Sequence, residues 1–134
     1  MADTPKLYRV IIQVADIEKA AEFYTTLLDA EGRRIRGGSR HYFDCGAVIL
    51  ALVDTTAEGG ESIAAPDNIY FSVKDVEAVH KRANELGCLS TADVHGAPAG
   101  DIVRRPWGEN SFYAVDPFGN MLCFVEESTV FTGR

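Results

Sequence analysis

The chain predicts an α+β fold made of two tandem βαβββ modules, and three observations carry that prediction. First, the chain repeats itself. Adding 59 to each residue number carries Val10-Ile11-Ile12-Gln13-Val14-Ala15-Asp16-Ile17-Glu18 onto Ile69-Tyr70-Phe71-Ser72-Val73-Lys74-Asp75-Val76-Glu77 without a gap. Second, each copy is an apolar run, then an Asp suited to cap a helix N-terminus, then an amphipathic segment. Third, each copy closes with Gly and another apolar run, Gly46 to Leu52 and Gly119 to Val125. That closing match has an offset of 73, so the second copy holds extra residues between its helix and its last strand. Two like modules usually pack by pseudo-twofold symmetry, and a ligand tends to sit between them.

The elements follow in order. Tyr8 to Val14 predicts a strand, and its unbroken Val10-Ile11-Ile12 suits a strand covered on both faces. Asp16 opens a helix to about Leu28, with Ile17, Ala20, Ala21, Tyr24, Leu27 and Leu28 at helical spacing. Gly32 and Gly37-Gly38 punctuate a strand pair, roughly Arg33 to Arg36 and Arg40 to Cys45, before a strand from Ala47 to Asp54. Thr55 to Asp67 is polar, carries Gly59-Gly60 and Pro66, and predicts the linker. In the second module Asn68 to Val73 predicts a strand. Asp75 to about Leu86 predicts a helix with Val76, Val79, Ala83 and Leu86 inward, ended by Gly87. Leu89 to Thr91, a long loop through Gly96 and Gly100, and Asp101 to Arg105 come next. A hairpin, Ser111 to Val115 and Met121 to Glu126, closes the module around Asp116-Pro117-Phe118-Gly119.

Length and composition bound the function. At 134 residues the chain reads as a single domain, module one spanning about 7–54 and module two about 68–127. Its 46% hydrophobic and 25% charged content is that of a soluble globular protein. The apolar runs fall far short of the ~20 residues that span a bilayer, and the N-terminus lacks the apolar core of a signal peptide. Cys45, Cys88 and Cys123 are odd in number and scattered, which argues for a reducing compartment. A formal charge of −7 disfavours nucleic acid. The expectation is a cytoplasmic protein with no nucleic-acid or membrane partner, whose partner is a small molecule or a second copy of itself.

The doubled module, with the stretch from Val14 to Tyr24 early and that from Pro106 to Glu127 late, resembles the vicinal oxygen chelate superfamily. That superfamily includes glyoxalase I, extradiol dioxygenases, fosfomycin-resistance enzymes and bleomycin-resistance proteins. Trp107-Gly108-Glu109 followed by Asp116-Pro117-x-Gly119-Asn120 carries most of the specificity, and the resemblance runs from about Leu7 to Glu127. It implies a glyoxalase-like fold, with eight strands bent into a cup, a small-molecule ligand inside it, and a homodimer.

The resemblance also points to where a metal would sit. Metalloenzymes of the family take two ligands from each module, on its first and last strands. Those positions correspond here to Arg9, Leu50, Asn68 and Cys123. A divalent cation needs imidazole, carboxylate or thiolate donors and is repelled by guanidinium. The expectation is therefore no metal and no cofactor. His41, His80 and His95 show no ligand-pair spacing. His80 reads as a helix-surface residue and His95 as a loop residue, while His41 lies on a strand that can reach the cup.

The two-residue strand period sets the expected lining. If Arg9 faces the cup, so do Ile11 and Gln13; if Asn68 does, so do Tyr70 and Ser72. Val48, Leu50 and Leu52 are sent inward with Met121, Cys123 and Val125. The alternative is a collapsed cup from which Arg9 snorkels outward. Trp107 reads either as pocket wall or as core, Cys123 as an inert thiol, and Asp116 and Asn120 as turn formers. The candidate ligand-binding set is Arg9, Gln13, His41, Leu50, Asn68, Tyr70, Trp107 and Cys123. No nucleophile elbow, phosphate loop or CxxC occurs, and no catalytic residue is identified. The expected function is metal-free binding of an apolar or aromatic ligand. The alternative is a glyoxalase-like lyase, isomerase or dioxygenase with a non-standard or absent metal site.

Overall fold

The computed structural model describes residues 3–134. The first module holds β1 (Arg9–Val14), α1 (Ile17–Leu28), β2 (Arg33–Arg34), β3 (Arg40–Cys45) and β4 (Val48–Asp54). The second holds β5 (Ile69–Val73), α2 (Val76–Glu85), β6 (Asp93–Val94), β7 (Ala97–Pro98), β8 (Val103–Arg104), β9 (Asn110–Val115) and β10 (Met121–Glu126). A short 3₁₀ turn, Glu127–Thr129, leads into the C-terminal tail. No helix among the described residues is long and apolar enough to cross a membrane.

Each module forms a four-stranded sheet, ordered β1-β4-β3-β2 and β5-β10-β9-β8. The repeat seen in the sequence is therefore a repeat of topology. In each sheet the first and last strands pair in parallel and the remaining pairs are antiparallel. Among the described residues no strand pairing joins the two sheets, so β1 and β5 are both edge strands. The extra residues of the second module include a hairpin, β6–β7, where the sequence predicts only loop. Its two turn residues, His95 (φ 49) and Gly96 (φ 78), both adopt positive φ. That is the twist a two-residue hairpin needs, reached here with a His in the place usually taken by Asn or Asp.

Both helices begin as the sequence predicts. The Asp16 and Asp75 carboxylates cap α1 and α2, accepting from the backbone N–H of Lys19 and Ala78 at 3.0 Å each. In α1, Ile17, Ala20, Ala21, Tyr24 and Leu27 are buried, joined by Phe23. In α2 the buried stripe is Val76, Val79 and Ala83. Both stripes enter one core with Ile12, Val14, Phe43, Leu50, Leu52, Phe112, Leu122 and Phe124. The modules thus share a core built from the helix faces of both sheets, within which Phe71, Phe124 and Phe112 stack at 5.0 and 5.3 Å.

Strand register decides which residues remain for the opposite, open faces. In β1 and β4, Val10 pairs with Leu50 and Ile12 with Leu52, while Arg9 pairs with Ile49 and Ile11 with Ala51. Laterally paired residues share a face. Leu50 and Leu52 therefore lie on the helix face, buried against Phe43 and α1, and the expectation that they line the cup is corrected. In the second sheet Cys123 pairs with Tyr70 and with Tyr113, on the open face. Since Tyr70 is the repeat mate of Ile11, the mate of Cys123 is Ala51, at an offset of 72 rather than 73. A slip of one residue turned the whole strand over.

Candidate functional site

The open face of the first sheet carries arginine and tyrosine. Arg9, Arg33, Arg40 and Tyr42 share it, because Tyr42 pairs with Ala51 and Arg33, and Arg40 with Val53. The Arg9 and Arg40 guanidinium groups both donate to Tyr42 Oη, each at 3.4 Å. Arg9 also lies over the rings of Tyr8 (5.1 Å) and Tyr42 (5.9 Å). Arg33 is held bidentately by Asp44 at 3.1 Å. The hydrogen bond from Arg40 and the charge of Arg9 hold the Tyr42 phenol below its ordinary pKa.

The open face of the second sheet carries a cavity of about 450 Å³, walled by Tyr70, Ser72, Trp107, Glu109, Val125 and Phe131. Glu109 is only 8% exposed. One carboxylate oxygen accepts from Trp107 Nε1 (2.8 Å) and the other from the backbone N–H of Phe131 (2.9 Å). The C-terminal tail is therefore strapped across this sheet, a second tie being the bond from Asn110 N–H to Thr129 Oγ1 at 3.0 Å. The His95 ring meets Trp107 edge-on at 5.2 Å, bringing the β6–β7 hairpin to the same wall.

Beside this cavity the open face is sealed. Ala99, with Val94, covers Tyr113, Cys123 and Val125. Arg105, 2% exposed, holds the covering loop: Nε donates to Ser111 Oγ (3.1 Å), and Nη2 to the carbonyls of Ser111 (2.9 Å) and Asp101 (3.2 Å). Its guanidinium stacks over the Tyr113 ring at 5.0 Å. Burial pushes the Cys123 thiol up to about 11 and the Tyr113 phenol well above its usual range.

The candidate residues separate accordingly. Tyr70 and Trp107 meet at the cavity, and Arg9 stands on the open face of the other sheet. Asn68, half-buried, precedes β5 and its N–H is taken by Asp67. Gln13 is tied to the linker, its Oε1 accepting from Ile63 N–H and its carbonyl from Asn120 Nδ2, both at 2.9 Å. Cys123 lies under the Ala99 loop and Leu50 in the core. His41 is turned to the helix face, paired with Leu52, and accepts from Arg34 Nε at 3.2 Å. Burial and the Arg34 charge lower its pKa. Gly32 makes room for it, since a Cβ there would stand 2.5 Å from the imidazole Nε2. The open-face role expected for His41 is corrected by that register.

A second, larger cleft of about 590 Å³ opens on the helix side between the modules, lined by Val10, Leu28, Cys45, Leu50, Phe71 and Val79 among others. Leu50 thus borders a cavity, but not the open face. Sequence reasoning missed Tyr42 and Arg40, which follow from alternation along β3 once its register is known. It also missed Phe131 and Arg105, for which no local pattern speaks.

Arg9, Asn68 and Cys123 are the residues that the superfamily resemblance matches to metal ligands, and neither Leu50 nor its register-corrected counterpart Ala51 has a side-chain donor atom. Among the described residues, no three His, Cys, Asp or Glu side chains converge. These residues do not fit the family's metal centre, and no chemistry is routed through one.

Comparison with known proteins agrees with the fold. A glyoxalase/bleomycin resistance protein from Albidiferax ferrireducens superposes with a TM-score of 0.70 at 21% identity, over 89% of this chain and 97% of that one. A superfamily member from Sphaerobacter thermophilus gives 0.68 at 22% identity, over 91% and 97%. Lactoylglutathione lyase from Agrobacterium tumefaciens gives 0.65 at 20%, over 91% and 93%. No curated protein sequence matches the chain. The model of one family matches residues 6–124, nearly the whole chain, and the chain belongs to that family: the Glyoxalase/Bleomycin resistance protein/Dioxygenase superfamily.

Proposed function

We propose that this chain is a metal-free small-molecule-binding protein of the glyoxalase/bleomycin-resistance type, acting in the cytoplasm as a homodimer. Its ligand is an apolar or aromatic molecule with an anionic or carbonyl group directed at Arg9. The observation that carries this reading is Arg9 itself: a guanidinium with no carboxylate partner among the described residues stands on the open face of the first sheet, at the position the resemblance matches to a metal ligand. Tyr8 and Tyr42, whose rings flank the Arg9 guanidinium, would supply an aromatic wall, worth roughly 25 cal/mol per Å² of apolar surface buried. Such a wall with a few placed polar groups is the usual composition of a small-molecule site.

A panel of anionic, neutral and cationic aromatics, screened by thermal shift and followed by calorimetry on the native protein and Arg9→Met, tests the reading. Anionic aromatics should bind best and lose at least about tenfold, or ~1.4 kcal/mol, in the variant. Cationic ligands binding best, or equal binding to Arg9→Met, would overturn it.

A further inference from the structure

We propose that Arg9, Arg40 and Tyr42 together form a binding site for a doubly charged, phosphate-class oxyanion. This deepens the reading of Arg9 as a ligand anchor and rests on it. What is added is the second arginine, the phenol and the charge of the group they receive.

The geometry supplies the argument. Both guanidinium groups donate to the same atom, Tyr42 Oη, at 3.4 Å, the long limit of a hydrogen bond. Those two bonds use the oxygen's two lone pairs, so the capacity left at Tyr42 Oη is its proton, a donor. Three donors therefore converge on one patch of the open face with no acceptor among them. Bonds this long are weak, so each guanidinium gains by exchanging the phenol oxygen for an anionic one, which forms shorter and stronger charge-assisted bonds.

Charge selects the class of ligand. Of the cations around Tyr42, Arg33 is neutralised by Asp44 at 3.1 Å, while Arg9 and Arg40 enter no salt bridge among the described residues. Two like charges are held side by side, without a carboxylate, in a chain whose formal net charge is −7. A monocarboxylate offsets one of them; a phosphate monoester dianion offsets both and presents three oxygens to three donors. The planar forks of Arg suit that task better than Lys ammonium groups would. Stacking on Tyr8 and Tyr42 holds Arg9 in place before a ligand arrives.

Calorimetry with phenyl phosphate, benzoate, benzamide and inorganic phosphate tests the site on the native protein and on Arg40→Met, Arg40→Lys, Tyr42→Phe and Arg9→Met, with circular dichroism checking each fold. Phenyl phosphate should bind at least tenfold tighter than benzoate. Arg40→Met should remove that advantage and leave benzamide unchanged, Arg40→Lys should restore only part of it, and inorganic phosphate should compete. If Arg40→Met and Tyr42→Phe keep native affinity for phenyl phosphate while Arg9→Met loses it, the two-armed site is wrong and the Arg9 reading stands. If neither phenyl phosphate nor benzoate binds the native protein, both proposals fall.

Discussion

Tyr24 and Asp116 lie 92 residues apart in sequence, yet the phenol of the first helix donates to the carboxylate in the last turn of the second module at 2.6 Å. Both groups are buried, and the bond ties one module to the other. Asp116 also accepts from Phe118 N–H and from the N–H and Nδ2 of Asn120, whose Nδ2 reaches back to the carbonyl of Gln13 in β1. The Asp116-Pro117-Phe118-Gly119-Asn120 turn is therefore a bracket between modules as well as a hairpin.

Removing that bond should be measurable. Tyr24→Phe leaves one buried carboxylate oxygen short of a donor and is expected to cost about 1–3 kcal/mol in urea unfolding at pH 7. The pH dependence follows from the phenol. Burial first, and then the Asp116 charge, raise the Tyr24 pKa well above its ordinary value of 10. A raised folded pKa means that the stabilisation is complete below the unfolded value and is lost as pH climbs above it. Native stability should therefore fall above about pH 10, and fall less steeply in Tyr24→Phe. Tyr113 shifts in the same direction and leaves a residual slope. Equal slopes in the two proteins would show that the bond is not made in solution.

The repeat, the caps and the last hairpin were legible because each has a local physical signature: Asp at an N-cap, helical spacing, Asp-Pro-x-Gly. The face of β4 was not. Val48 to Val53 is apolar at every position, so alternation cannot distinguish Leu50 from Ala51, and only pairing with β1 does. The face of His41 in β3 is likewise fixed only by pairing across the ladder, where it opposes Leu52. The open-face placement of Arg9 and Tyr70 was legible because they break or edge an apolar run. Phe131 and Arg105 belong to irregular segments whose positions depend on tertiary bonds to Glu109 and Ser111.

The three thiols should react unequally. Burial pushes Cys88 and Cys123 up to about 11, while Cys45, also raised, is half-buried and lines the inter-module cleft. The thiolate is the reactive species. With a chromogenic disulfide at pH 8, Cys45 is expected to react first and the other two only on unfolding in urea. Rapid modification of Cys123 in the native protein would mean that the Ala99 loop opens readily.

A homodimer is expected from the edges. Strands β1 and β5 are both unpaired on one side, and Leu7, Tyr8, Ile11 and Tyr70 are each at least half exposed nearby. Covering such edges and apolar side chains is a common reason for two-fold association. Light scattering should return about twice the 14.6 kDa chain mass, and Ile11→Asp with Tyr70→Asp should shift the protein toward one chain. A native mass of a single chain at micromolar concentration would refute this.

Metal content is the most direct measure of whether this site is metal-free. Arg9, Asn68 and Cys123, with Leu50 or its register-corrected counterpart Ala51, are a poor donor set for a divalent ion. Elemental analysis of gently purified protein, before and after incubation with Zn²⁺, Ni²⁺, Fe²⁺ and Mn²⁺, should find well under one equivalent of each per chain after desalting. About one equivalent of any of them, retained through desalting, would contradict the account and favour an enzyme with a metal site of its own design.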